Sequence, residues 1–187
     1  MKAPARLPAT CEICILAGGL SARMGRDKAR LRFGRRTLLG EVRKSAKATG
    51  LATRVIRRDC VPRCGALGGV YTALKSTPAE VVLFLACDMP LVTPDLMQAL
   101  LRKLDLAQQA LFVRGDEGIG FPFLLRRTTL GVVAGQIKRR QLSLHALAKV
   151  LKAKRVRLPG QSAEQLRNVN TPSEWIQVRD IWCSQRP

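Results

Sequence analysis

Residues 11–28 read CEICILAGGLSARMGRDK, a short apolar run that stops at paired glycines and opens into a loop carrying Gly18, Gly19, Gly25 and the cations Arg23, Arg26 and Lys28. An apolar run of this length, bounded by glycine, is the pattern of a strand buried on both faces of a parallel sheet. Working outward, RTLLGEVRKSAKATG (36–50) sets Leu38, Leu39, Val42 and Ala46 on one face at helical spacing, with Gly50 where a cap belongs. ATRVIR (52–57) reads as a second strand, LGGVYTALKS (67–76) as a helix closed by Pro78, and EVVLFLAC (80–87) as the most continuous buried strand, with Asp88 at its carboxyl end. TPDLMQALLRKLD (93–105) opens with Thr93 as N-cap and Pro94 in the first helical position, and NTPSEWIQVRDIW (170–182) repeats that start at Thr171–Pro172. Between them ALFVR (110–114) and RVRLP (155–159) read as strands and GDEGIGFPF (115–123) as a turn-rich break. Residues 126–154 read as one or two helices interrupted at Gly131, Gly135 and 141–143. Strands alternating with helices predict an α/β protein, a three-layer α/β/α sandwich around a mostly parallel sheet. Residues 11–187 form its single domain, behind a loose arm at 1–10 that carries Pro4 and Pro8.

Composition removes several function classes. The chain has 187 residues, 47% hydrophobic and 25% charged, as a globular protein does, so a disordered or collagen-like chain is excluded. The apolar run Val81–Cys87 is far short of the roughly 20 residues that span a bilayer, and the basic N-terminus lacks the apolar core of a secretory signal. A cytoplasmic protein with six reduced cysteines is expected. Thirty-three Lys and Arg against 13 Asp and Glu leave a net charge of +20, and residues 118–163 hold ten cations and no carboxylate. Such a field favours acidic ligands. Eight aromatic residues and no recognisable nucleic-acid module weigh against specific nucleic-acid binding.

In an open α/β sheet the ligand lies outside the carboxyl ends of the strands, so the residues just after each strand carry the chemistry. The glycine loop after the first strand can turn backbone N–H groups onto an anion, with Lys28 adding a point charge. It matches neither the dinucleotide G-x-G-x-x-G pattern nor the Walker pattern, because Gly18 and Gly19 are adjacent and Gly25 is followed by Arg26-Asp27. Asp88 is the candidate magnesium ligand, since Mg²⁺ takes one or two protein carboxylates and completes its octahedron with phosphates and waters. In DCVPRCGALGG, Asp59 ends the second strand, and Gly65, Gly68 and Gly69 let the backbone approach a ligand closely before the next helix. Asp88 and a Gly-rich turn each have a structural reading as well; their joint placement on one sheet edge favours the functional one.

Together LAGGLSARMGRDKARL, GALGGVYTAL, LACDMPLVTPDL and NVNTPSEW resemble the molybdenum cofactor guanylyltransferases, within the nucleotidyltransferases that share an LxxGxxxRMGxxK signature. The resemblance implies a Rossmann-like sheet of the nucleotide-diphospho-sugar transferase type, with GTP and molybdopterin as substrates and Mg²⁺ as cofactor. It implies that Leu16, Ala17, Gly18 and Gly19 hold the nucleotide through the backbone, that Lys28 reaches the phosphates and that Arg23 lies in the same cradle. It further implies that Asp59 contacts the nucleoside, that Gly68 and Gly69 pack beside the guanine, that Asp88 binds the metal, and that Asn168 and Asn170 face the molybdopterin. Partner proteins of cofactor biosynthesis or molybdoenzymes would receive the product. The reaction needs no strong general base, because a phosphate nucleophile is already ionised at neutral pH.

The stretch before Asp59 is shorter than the family pattern, Ala66 replaces a proline, and GFPFLLRR is an unusual form of the strand that faces the second substrate. A cytidylyltransferase, a sugar-phosphate nucleotidyltransferase and a non-catalytic nucleotide or molybdopterin carrier remain the alternatives; the paired glycine of LAGG favours guanine. His145 reads as a packing or surface residue. Cys11 and Cys14 point to opposite faces of one strand, and Cys60 and Cys64 form too small a set for zinc.

Overall fold

The computed structural model describes residues 10–18, 31–33, 35–115 and 118–184. Six strands form one sheet in the order β4(Ala52–Ile56), β1(Cys11–Leu16), β5(Val81–Ala86), β7(Gly118–Arg126), β6(Ala110–Gly115) and β8(Lys154–Val156). Only β7 runs against the others, so the sheet is mostly parallel, as expected. A two-stranded ribbon, β2(Arg32–Phe33) and β3(Arg36–Thr37), leads into helix α1(Leu38–Lys47). The remaining helices are α2(Gly65–Ser76), α3(Pro94–Arg102), α4(Leu130–Lys138), α5(Leu144–Val150), α6(Gly160–Glu164) and α7(Pro172–Ser184).

The alternation of side chains along β1 and β5 divides the core into two layers. Ile13, Ile15, Leu83 and Leu85 face α1 and α3, meeting Leu39, Val42, Met97 and Leu100. Cys14, Val82 and Phe84 face the opposite side, where Val70, Val133 and Leu147 of α2, α4 and α5 cover them. This is the three-layer sandwich. Phe123 stacks between Phe84 and Phe112, with centroids at 5.0 and 4.8 Å, and carries the core across the antiparallel strand. A third, smaller cluster packs Val178 of α7 on Leu38, Leu91 and Val169.

The helix starts follow the cap chemistry. Thr93 Oγ1 accepts from the Leu96 N–H with Pro94 behind it, and Thr37 caps α1 by accepting from Gly40. At α7 the Glu174 N–H donates to Thr171 Oγ1, while Glu174 Oε2 accepts from the Asn170 and Thr171 N–H groups. Each cap is worth about 1 kcal/mol.

Two expectations are corrected. The stretch 115–123 is not simply a break, because Gly118–Arg126 is a nine-residue strand. Glycine and proline mark a distortion within it: the β6–β7 register jumps from Phe112↔Phe123 to Val113↔Gly120, leaving Phe121 and the N–H-less Pro122 out of the ladder. Nor do Gly131 and Gly135 interrupt a helix. Helix α4 runs through both, and the interruption falls at 141–143, before Ser143 caps α5. Packing on α2 and the core overrides the weak helix propensity of glycine. Thr10 is tied to β5 by accepting from Val81 and Glu80 N–H groups, whereas residues 1–9 of the expected arm lie outside the described residues.

Candidate functional site

Parallel β1, β4 and β5 end on one edge and their exits are stitched together. The Ala17 N–H donates to the Ile56 carbonyl at 2.8 Å, and the Cys87 N–H to the Leu16 carbonyl at 3.1 Å. Leu16, Ala17 and Gly18 therefore sit between the exits that lead to Asp59 and Asp88. Gly19, Arg23 and Lys28 lie outside the described residues.

Asp59 is seated against three glycines. A Cβ on Gly68 would stand 2.6 Å from Asp59 Oδ2, one on Gly69 3.3 Å from Oδ1, and one on Gly18 3.6 Å from Oδ1. Gly69 also accommodates Leu16, whose Cδ2 lies 3.1 Å from where a Cβ would be. The close approach that the glycines permit is thus used by Asp59 and Leu16. Gly68 and Gly69 are buried in the first turns of α2, and burial pushes the Asp59 carboxyl above the usual carboxylate range.

Asp88 follows β5, half-buried, with Oδ1 turned away from solvent. Its carbonyl accepts from the Val169 N–H at 2.9 Å, which places Asn168 and Asn170 on the same edge. Among the described residues no group of three or more His, Cys, Asp or Glu forms a metal cage. A lone hard oxygen donor at a strand end suits Mg²⁺ completed by phosphates and water, and does not suit a closed protein-only site.

Beyond Asn168 and Asn170 opens a cleft of about 510 Å³, walled by the carboxyl ends of β6 and β8, the start of β7, and α7. Phe121, released from the ladder, lines it with Arg114, Arg157 and Arg167. The sequence reading named none of these arginines. The signal was available: Arg114 lies near the end of β6 and Arg157 just past β8, the strand-exit positions that identified Asp88. His145 is an exposed residue, as expected, its Nε2 accepting from the Ile119 N–H at 3.2 Å. Cys60 and Cys64 have separate partners: Thr72 Oγ1 donates to Cys60 Sγ, and Cys64 Sγ donates to the Pro62 carbonyl. Cys11 and Cys14 face opposite core layers, as their spacing requires. No helix among the described residues is long and apolar enough to cross a membrane.

Residues 13–157 match the model of the MobA-like NTP transferase domain. A molybdenum cofactor guanylyltransferase of Xanthomonas euvesicatoria is 32% identical over 180 residues, covering 88% of this chain and 92% of its own. The fold matches the crystal structure of molybdopterin-guanine dinucleotide biosynthesis protein A from Archaeoglobus fulgidus, at a TM-score of 0.72 and 18% identity over 94% of this chain and 100% of that one. It also matches a Mycobacterium tuberculosis protein crystallised with manganese, at a TM-score of 0.65 and 19% identity over 92% and 99% of the two chains.

Proposed function

The chain belongs to the MobA-like NTP transferases, in their molybdenum cofactor guanylyltransferase branch, and from that premise we propose that it transfers GMP from GTP to molybdopterin with Mg²⁺ as cofactor. The acceptor's terminal phosphate oxygen bonds to the α-phosphorus of GTP, the bond from that phosphorus to the bridging oxygen breaks, and pyrophosphate leaves. The product is molybdopterin guanine dinucleotide. The observation that carries this reading is the bond from the Val169 N–H to the Asp88 carbonyl, which joins a strand-end carboxylate to the Asn168–Asn170 segment on one edge.

The residues divide the work by place. Leu16, Ala17, Gly18 and Gly19 offer backbone to the nucleotide, and Arg23 and Lys28 supply cations to its phosphates. Asp59, held against Gly18, Gly68 and Gly69, faces the nucleoside as an acceptor for its N–H or O–H groups. Asp88 would hold the Mg²⁺, which supplies charge neutralisation on the triphosphate. Asn168 and Asn170 orient the acceptor from the cleft side. Without a general base, rate enhancement rests on in-line positioning and on fixed donors around the developing charge. The manganese bound by the structurally similar mycobacterial protein supports a divalent cation. The chain works as one nucleotidyltransferase domain in the cytoplasm, passing its product to a molybdoenzyme or another cofactor-biosynthesis protein.

The test is pyrophosphate release from GTP, CTP, ATP and UTP with Mg²⁺, each with and without molybdopterin. Release from GTP alone, dependent on molybdopterin, is the expected result. Release from CTP instead moves the chain to the cytidylyltransferases, and nucleotide binding without release makes it a carrier.

A further inference from the structure

We propose that Arg114, Arg157 and Arg167 form an anion clamp that recognises the acceptor by its phosphomonoester; this deepens, and rests on, the reading of the cleft as the acceptor side. The three arginines come from three separate segments: the end of β6, the exit of β8, and the turn between α6 and the Asn168–Asn170 segment. All three line the same cleft of about 510 Å³.

Charge makes their shared cleft informative. Like charges gathered in one concavity repel each other, and an anion relieves that cost. Among the described residues the lining offers one carboxylate. That carboxylate, Glu174, already accepts the N–H groups of Asn170 and Thr171 at the start of α7. Ion pairs among the described residues join Arg36 to Glu41, Arg54 to Glu12, Lys154 to Asp105 and Arg179 to Asp180, and none of them involves the clamp. Arg167 is steadied by a neutral partner, its Nη1 donating to Gln177 Oε1 at 3.4 Å. The planar fork of arginine matches phosphate oxygens two at a time, which a set of lysines would not do. Phe121 adds an apolar surface on the wall of the same cleft, suited to a flat heterocycle attached to that phosphate. The ligand class is therefore a phosphorylated flat heterocycle, and the phosphate is what the arginines read.

Two measurements on the full chain test this. In steady-state turnover, Arg114→Gln, Arg157→Gln and Arg167→Gln each raise KM for molybdopterin at least about tenfold, the loss expected for one charged hydrogen bond, with KM for GTP unchanged. All three side chains are exposed, so the variants keep the wild-type circular dichroism and Tm. In a binding assay independent of turnover, a fluorescent pterin with a phosphomonoester binds the wild type more tightly than the same pterin dephosphorylated. The triple Gln variant abolishes that difference, and the triple Lys variant restores part of it. An unchanged KM for molybdopterin, an equal rise in KM for GTP, or equal affinity for the two pterins overturns the clamp. Absence of turnover together with phosphate-dependent pterin binding would reject the transferase reading and leave the clamp standing.

Discussion

The Val169 N–H donates to the carbonyl of Asp88 at 2.9 Å, so the end of the most buried strand and the segment that starts α7 are locked together across 81 positions of sequence. Val169 is fully buried against Leu38, Leu91 and Val178, which keeps that junction rigid. The anchor of this junction is the Asp88 backbone, not its carboxylate. Asp88→Ala is therefore expected to reduce metal-dependent kcat by about 100-fold or more while Tm changes little. Turnover and thermal unfolding of the same preparation check both halves.

Gly68 has no room for a methyl group. A Cβ there would stand 2.6 Å from Asp59 Oδ2 and 3.1 Å from the Val61 carbonyl. Gly68→Ala should cost roughly 1–3 kcal/mol as an overpacked site and displace Asp59, weakening GTP. Because the closest clash is with a side chain, the cost should be smaller in an Asp59→Ala background, the coupling expected of touching residues. Urea unfolding of the four members of that cycle measures it.

Asp59 also predicts a pH dependence. Burial raises its pKa in the folded chain, so between the ordinary carboxylate value and the raised one the native state binds more protons than the unfolded state. Its contribution to stability accordingly falls as pH rises through that window, and the penalty is absent below it and complete above it. Asp59→Asn removes the ionisation. Its Tm relative to wild type should rise from about pH 3 to pH 7, with GTP affinity reduced at both ends. A Tm difference that is flat with pH would show that Asp59 is not desolvated.

The cysteines should separate by environment. Cys60 and Cys183 are exposed and Cys14 and Cys64 are buried, and burial pushes the Cys14 thiol up to about 12. Iodoacetamide at about pH 8, a pH at which an ordinary thiol is partly ionised, should modify Cys60 and Cys183 in the folded protein and leave Cys14 intact until denaturant is added. Peptide mass spectrometry reads the pattern.

Those residues also mark how far the sequence could be read. The strands at 11–16 and 81–86 and the capped starts at Thr93 and Thr171 were legible because their signals are local: an apolar run, or a hydroxyl before a proline. Strand β7 was not, because its pairing with β5 and β6 is nonlocal while Gly118, Gly120 and Pro122 are local turn signals. Of the site, Asp59 and Asp88 were legible from the strand-exit rule. Arg114, Arg157 and Arg167 were obscured by a chain with 33 Lys and Arg, in which a cation after a strand stands out from nothing. Only the folded arrangement shows that these three line one cleft.

At the opposite edge of the sheet, near the start of β1, Glu12 forms the most buried ion pair among the described residues, and it should matter to folding alone. Its Oε1 meets Arg54 Nε at 2.9 Å and its Oε2 accepts from Arg54 Nη2 at 3.1 Å and from Thr77 Oγ1. Arg54 also donates to the Ala73 carbonyl and to Ser76 Oγ, so the pair ties β1 and β4 to the end of α2. Removing one partner of a buried pair costs 3–5 kcal/mol, and with 29% of the Arg54 side chain exposed the lower end, about 3 kcal/mol, is expected for Glu12→Ala. Replacing both partners by apolar residues, Glu12→Leu with Arg54→Met, should recover much of the loss because no charge is left stranded. KM for GTP should be unchanged in both, since the pair lies away from the carboxyl edge. Urea unfolding beside steady-state kinetics separates the two effects, and a double variant no more stable than the single one would show that the pair itself stabilises the chain.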